Sequence, residues 1–180
     1  MIIKNHLRFF SYINYYENIP YNWILCTIAD ICSYGKTIFN FTPTLGDWLL
    51  ELEDIESGSS KLLNRKYVNE KTNFNSKICF GKGMILYSKL RPYLDKVIIA
   101  DDKGIATSEI IPFYSYINPK YLVLFLKSPM FLERVKQLMY GVKMPRLGTD
   151  DMLNTIFLLP PLKEQHRIID KTKTIFQLID

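Results

Sequence analysis

Three cations stand close together in the run YSKLRPYLDK, Tyr87 to Lys96: Lys89, Arg91 and Lys96 are interleaved with Tyr87, Ser88 and Tyr93. An arginine fork grips a phosphate or a guanine edge through paired N–H donors, Ser and Tyr hydroxyls contact phosphates, and aromatic rings stack beside bases. Pro92 stiffens the segment, which reads as a strand end passing into a loop. These residue types suit nucleic acid, and the plainer alternative is a strand end carrying solvated cations. A second cationic loop, GVKMPRLGTDD from Gly141 to Asp151, holds Lys143 and Arg146 between glycines that let a loop enter a groove. Lys143 and Arg146 are therefore the candidates for base-edge or groove contact, and Lys89 and Arg91 for phosphate.

Catalytic patterns have less behind them. Asp95 with Asp101, Asp102 and Lys103 has the carboxylates and lysine of a metal-dependent nuclease. Yet ADDKG, Ala100 to Gly104, is also what an exposed hairpin connection ending in a flexible glycine requires. The pair Asp150-Asp151 reads as the cap of the element after the basic loop. Gly81-Lys82-Gly83 is too short for a phosphate-cradling or dinucleotide loop and reads as a turn. His6 and His166 are the two histidines, and neither lies near a candidate Ser or Cys nucleophile in sequence, so a nucleophile triad has no positive support. Cys26, Cys32 and Cys79 lack metal-ligand spacing and read as free buried thiols. No catalytic residue and no metal ligand is assigned.

The formal charge of +5 is uneven: residues 1–60 carry −4, residues 61–103 carry +6 and residues 104–180 carry +3. A concentrated cationic surface binds a polyanion by counterion release, whereas a solvated charged face does nothing in particular. At 180 residues and 48% hydrophobic content the chain can bury the core of one compact domain. Apolar stretches such as Tyr121 to Leu126 fall short of the roughly 20 residues a membrane span needs. The N-terminal residues lack a secretory apolar region with a cleavage site, so a cytoplasmic location is expected.

The elements that must position these loops are short β-rich runs at Trp23 to Ala29, Met84 to Ser88, Val97 to Ala100, Ile110 to Tyr114 and Thr155 to Leu159. Asn118-Pro119 opens one helix, Ser128-Pro129 caps and restarts a second, and that one ends near Gly141. The expected class is α/β (α+β): a small mixed twisted sheet with packed helices over 1–159, the role of its first 18 residues being unreadable. Pro160-Pro161 then forms a boundary, and 160–180 reads as a long amphipathic helix. Along it Ile168, Thr172, Ile175 and Ile179 recur at steps of four and three, with Ile169 and Phe176 widening the stripe. Such a seam either docks on the chain's own body or pairs with another helix.

In their order, these segments resemble the specificity (S, HsdS) subunits of Type I restriction-modification systems. The segments are IPYNW at Ile19 to Trp23, the Gly35-Lys36-Thr37 loop, GMILYSKLRPYLDKV at Gly83 to Val97, a strand GIATSEII at Gly104 to Ile111, a helix at Pro119 to Ser128, the Gly141 to Leu147 loop and PPLKEQHRII at Pro160 to Ile169. The resemblance implies a target recognition domain that reads one half of a bipartite DNA site, followed by the start of a conserved coiled-coil spacer helix. It adds Lys36 to the DNA-facing set of Lys89, Arg91, Tyr93, Lys96, Ser88, Lys143 and Arg146. Partners would be double-stranded DNA, a modification (methyltransferase) subunit, a restriction subunit, and a second specificity half or itself through the helix. S-adenosylmethionine, ATP and magnesium would belong to partner subunits, so no cofactor and no catalysis is expected of this chain. One domain with the first turns of a spacer fits an excised fragment, a truncated product or a half-subunit that dimerises. The rival readings are the nuclease above and a helix-mediated protein-interaction module.

Overall fold

The structure, a computed structural model, describes residues 19–34 and 39–177. Its centre is a four-stranded antiparallel sheet in the order β2-β9-β6-β7, built from β2 (Cys32–Tyr34), β6 (Ile85–Ser88), β7 (Val97–Ile99) and β9 (Ile110–Ser115). A second four-stranded sheet runs β4-β3-β8-β5, from β3 (Trp48–Leu50), β4 (Lys66–Tyr67), β5 (Lys77–Phe80) and β8 (Gly104–Thr107). It is the mixed one, because β3 and β8 are parallel while its other pairs are antiparallel. A ribbon of β1 (Ile24–Thr27) against β10 (Ile156–Leu159) joins the two ends of the described body.

The residue period of two explains why β6, β7 and β9 read as unbroken apolar runs. Ile85, Tyr87, Val97, Ile111 and Phe113 point to a core shared with the helices, whereas Leu86, Ile98 and Ile110 point to a second core shared with Trp48, Leu50, Ile78 and Phe80 of the other sheet. Both faces of the central sheet are thus buried, and all four residues of β6 are inaccessible. On the helical side lie α1 (Pro119–Leu126), α2 (Pro129–Leu138), the short α3 (Thr149–Leu153) and α4 (Leu162–Gln177). Asn118 caps α1 by accepting from Lys120 N, and Ser128 caps α2 by accepting from Phe131 N, each followed by proline at the first helical position. These two starts lie where the sequence places them, and α2 ends at Leu138, before Gly141. Asp150 and Asp151 occupy the first turn of α3, where carboxylates suit a helix N-terminus.

Two expectations need correction. GIATSEII is not one strand: it breaks at Ser108-Glu109, so that β8 belongs to the outer sheet and β9 to the central one. ADDKG is not a hairpin, since β7 pairs with β6 and β8 pairs with β3 and β5, and the turn carries the chain from sheet to sheet. Its glycine serves close approach rather than flexibility. A Cβ on Gly104 would lie 2.4 Å from the Trp48 carbonyl oxygen and 2.7 Å from the Phe80 ring.

The C-terminal helix begins as part of the body. Ile169 is buried in the main core with Ile168 packed on it, and the buried Gln165 side chain accepts from Asn118 N and donates to Pro160 O. Farther along, Ile175 is 53% exposed. Ile179, like the side chain of Phe176, lies outside the described residues. Docking on the body therefore accounts for the base of the stripe and leaves Ile175 uncovered. No helix among the described residues is long and apolar enough to cross a membrane.

Gly104→Ala is expected to lower unfolding stability by about 1–3 kcal/mol through overpacking of the β3–β8 pair. Denaturant titration measures it, and a change within error would contradict the close approach.

Candidate functional site

The strand end and the basic loop meet. Lys89 N donates to Glu109 O at 2.9 Å, Leu147 N donates to Lys89 O at 2.9 Å, and Arg91 N donates to Pro145 O at 2.7 Å. Leu90 and Arg146 form a bridge. The three residues after β6, Lys89 to Arg91, are thereby stitched along the end of the loop that follows α2. Within that loop Tyr140 and Arg146 exchange both backbone bonds, at 2.9 and 2.8 Å, and Gly141 takes the turn with φ of +90°. A small hairpin results, with Val142, Lys143 and Met144 at its exposed tip.

The β6–β7 turn is held in an uncommon shape. Arg91 and Asp95, at φ 47° and 52°, are both left-handed and bracket a single 3-10 turn over Pro92–Leu94. A side chain in that region costs on the order of 1 kcal/mol, so surrounding contacts must over-determine it. They do. Asp95 Oδ2 meets Lys127 Nζ at 2.9 Å; the same ammonium donates to Ser60 Oγ at 2.9 Å and to the Gly58 carbonyl; Ser60 Oγ donates to Asp95 O at 3.0 Å. Ser60, also left-handed, adds a third such residue to the cluster. Burial pushes the Asp95 carboxyl above its ordinary range, and Lys127 pulls it the other way. Burial, then the Asp95 charge, raises the Tyr87 phenol, whose hydroxyl has no hydrogen-bond partner among the described residues.

Several candidates turn out to be committed inside the protein. Ser88 is buried, and its hydroxyl donates to Leu90 O at 2.8 Å, so it shapes the turn from within rather than facing a ligand. Lys96 reaches across to donate to Leu52 O at 2.7 Å. Arg146 was expected as a free reader, yet its Nε and Nη2 grip the Glu109 carboxylate at 2.9 to 3.2 Å. Glu109 was missed as a site residue because it lies far from both loops in sequence; the turn that breaks GIATSEII brings it there. Lys36 lies outside the described residues.

Lys89, Arg91, Tyr93 and Lys143 remain available. Arg91, Tyr93 and Lys143 are exposed and Lys89 is half-buried, and none of the three cations has a carboxylate partner among the described residues. The nuclease set does not assemble. Asp95 pairs with Lys127, Asp101 takes a bidentate grip from Arg65, Lys103 lies 3.4 Å from Asp47, and the Asp102 side chain accepts from Lys103 N. No group of three His, Cys, Asp or Glu among the described residues is placed to hold a metal ion. All three cysteines are free: Cys32 is buried, with its thiol pushed up to about 11 by desolvation, and Cys26 and Cys79 are half-buried.

Residues 20–180 match the family described as Type I restriction modification DNA specificity domain. The chain is 29% identical over 166 residues to the specificity subunit of the Type I restriction enzyme EcoDI of Escherichia coli, covering 91% of this chain and 37% of that protein. It is 30% identical over 136 residues to the EcoAI specificity subunit of the same organism, covering 68% of this chain and 22% of the relative. The chain thus spans well under half the length of these curated relatives. The fold is similar to the crystal structure of the HsdS subunit from Thermoanaerobacter tengcongensis, with a TM-score of 0.75 at 20% identity over 90% of this chain and 44% of that one.

Lys127→Met strands a buried carboxylate and is expected to cost about 3–5 kcal/mol at neutral pH. The sign with pH follows from the raised Asp95 pKa. A carboxyl held above its unfolded value contributes stability that is full in acid and lost as pH rises through the folded value. The variant's deficit should therefore shrink on acidification, and adding Asp95→Asn should restore part of it at neutral pH. Unfolding titrations of the single and double variants at about pH 5 and about pH 8 measure this; a pH-independent deficit would contradict it.

Proposed function

The chain belongs to the family of Type I restriction modification DNA specificity domains, and from that membership we propose that it binds duplex DNA at a preferred sequence and catalyses nothing itself. The observation that carries this reading is the stitched pair of loops. Lys89, Arg91 and Lys143 are presented by backbone held at fixed register and have no carboxylate to neutralise them among the described residues. Such cations gain by releasing counterions from phosphates, and the hairpin tip beside them enters a groove. Tyr93, 43% exposed on the same turn, supplies a ring and a hydroxyl to the backbone contact.

The rest of the assembly is proposed with it. Methylation, with S-adenosylmethionine, would belong to a modification subunit, and cleavage, with ATP and magnesium, to a restriction subunit; this polypeptide would give them their address. It would work in the cytoplasm with its DNA. A second recognition half would be joined along α4, where Ile175 stays exposed beyond the docked Ile169 and an apolar groove of about 390 Å³ is lined by Ile99, Val123, Leu124, Ile169 and Thr172.

Binding of the purified chain to duplexes selected from a random pool, titrated against salt, tests the reading. Lys89→Ala or Arg91→Ala should weaken every duplex alike and flatten the slope of log K against log salt by about one unit for each phosphate contact removed. Unchanged binding after charge reversal at Lys89, Arg91 and Lys143 together would reject this surface.

A further inference from the structure

The tip of the hairpin is apolar as well as cationic. Val142 is 99% exposed and Met144 47% exposed, on either side of Lys143. Single exposed apolar residues are ordinary on any protein surface, but these two sit on backbone that is already fixed. Tyr140 and Arg146 close the loop with two hydrogen bonds, Gly141 supplies the left-handed turn, and the flanking Pro145 and Leu147 are buried. Glu109 holds the closing residue by its guanidinium. A tip ordered before contact loses little further freedom on binding, so small apolar contacts there convert into affinity more fully than on a floppy loop.

Arg146 is committed first to the hairpin. Its Nε–Nη2 edge, one of the two donor pairs that a guanidinium can aim at guanine N7 and O6, is taken up by the Glu109 carboxylate, which fixes the side chain to the hairpin's flank. Releasing it would leave both a lone carboxylate and an unlatched hairpin. On a DNA duplex the apolar group offered at a base edge is the thymine 5-methyl, and it projects only into the major groove, which is about 12 Å wide and admits a two-stranded ribbon. Lys143 between the two apolar side chains draws such a tip toward the phosphate-lined groove and matches its charge.

We propose that Val142 and Met144 read thymine methyl groups in the major groove, and that Arg146 is a positioning residue, latched by Glu109, which sets the tip rather than touching a base. This rests on the DNA-binding reading above and assigns the specificity within it. The test takes the duplex that the purified native chain selects from a random pool and replaces each thymine in turn by deoxyuridine, which deletes the methyl and leaves pairing and acceptors unchanged.

At one or two positions the native chain should lose roughly fourfold in affinity, the worth of one buried methyl. The Val142→Ser, Met144→Gln variant should bind the thymine and deoxyuridine duplexes equally, at the native chain's deoxyuridine level. Glu109→Gln, which keeps the shape and removes the charge, should shrink the deoxyuridine penalty while non-specific binding holds or rises. A native chain indifferent to every deoxyuridine, a selected site with no thymine, or a double variant that keeps the full penalty overturns the proposal while leaving DNA binding intact. Failure to enrich any sequence overturns the DNA-binding reading itself, and the proposal with it.

Discussion

Burial of the central sheet on both faces constrains everything else in this protein. Helices cover one side through Ile85, Tyr87 and Phe113, and the outer sheet covers the other through Leu86 and Ile110. A strand such as β6 therefore has no surface of its own to offer a ligand, and chemistry is confined to where strands end. At the end of β6 the chain passes from the inaccessible Ser88 to the cationic turn in three residues. Rigid strand and functional loop are adjacent because the sheet leaves no other outlet.

Two ion pairs carry that rigidity outward. Asp95 with Lys127 fixes the turn from beneath, where desolvation makes the pair costly to break, and Arg146 with Glu109 fixes the hairpin from its flank. Between them run the backbone bonds from Lys89, Arg91 and Leu147. Left-handed residues at Arg91 and Asp95 persist because these contacts over-determine them. In such a site most charged residues are structural, and the few without a carboxylate partner among the described residues make up the proposed contact surface.

That division governs what was legible in the sequence. Three strands of the central sheet, β6, β7 and β9, showed as apolar runs because both of their faces are buried, whereas the three-residue β2 carried no such run, and the two helix starts showed because Asn118-Pro119 and Ser128-Pro129 are local signals. The outer sheet was harder to read. β3 and β4 have three and two residues, and β3 owes its strand character to a parallel partner far along the chain, so no local period marks it. Arg91, Tyr93 and Lys143 were readable as exposed loop residues. The internal partners of Lys96 and Arg146, Leu52 O and Glu109, are set by tertiary geometry that residue type does not encode, and Ser88 is turned inward because it ends a strand buried on both faces. The Ser108-Glu109 interruption of an apolar run is the one local signal that could have marked Glu109, and it was passed over.

The central claim is that one surface, made of the β6–β7 turn and the hairpin after α2, meets duplex DNA. Amide hydrogen exchange of the chain, with and without a selected duplex, tests it most directly. Slowed exchange is predicted across 89–94 and 140–146, with α1 and the outer sheet unaffected. Slowing confined to the outer sheet or to α4, with both loops exchanging as in the free protein, would contradict it.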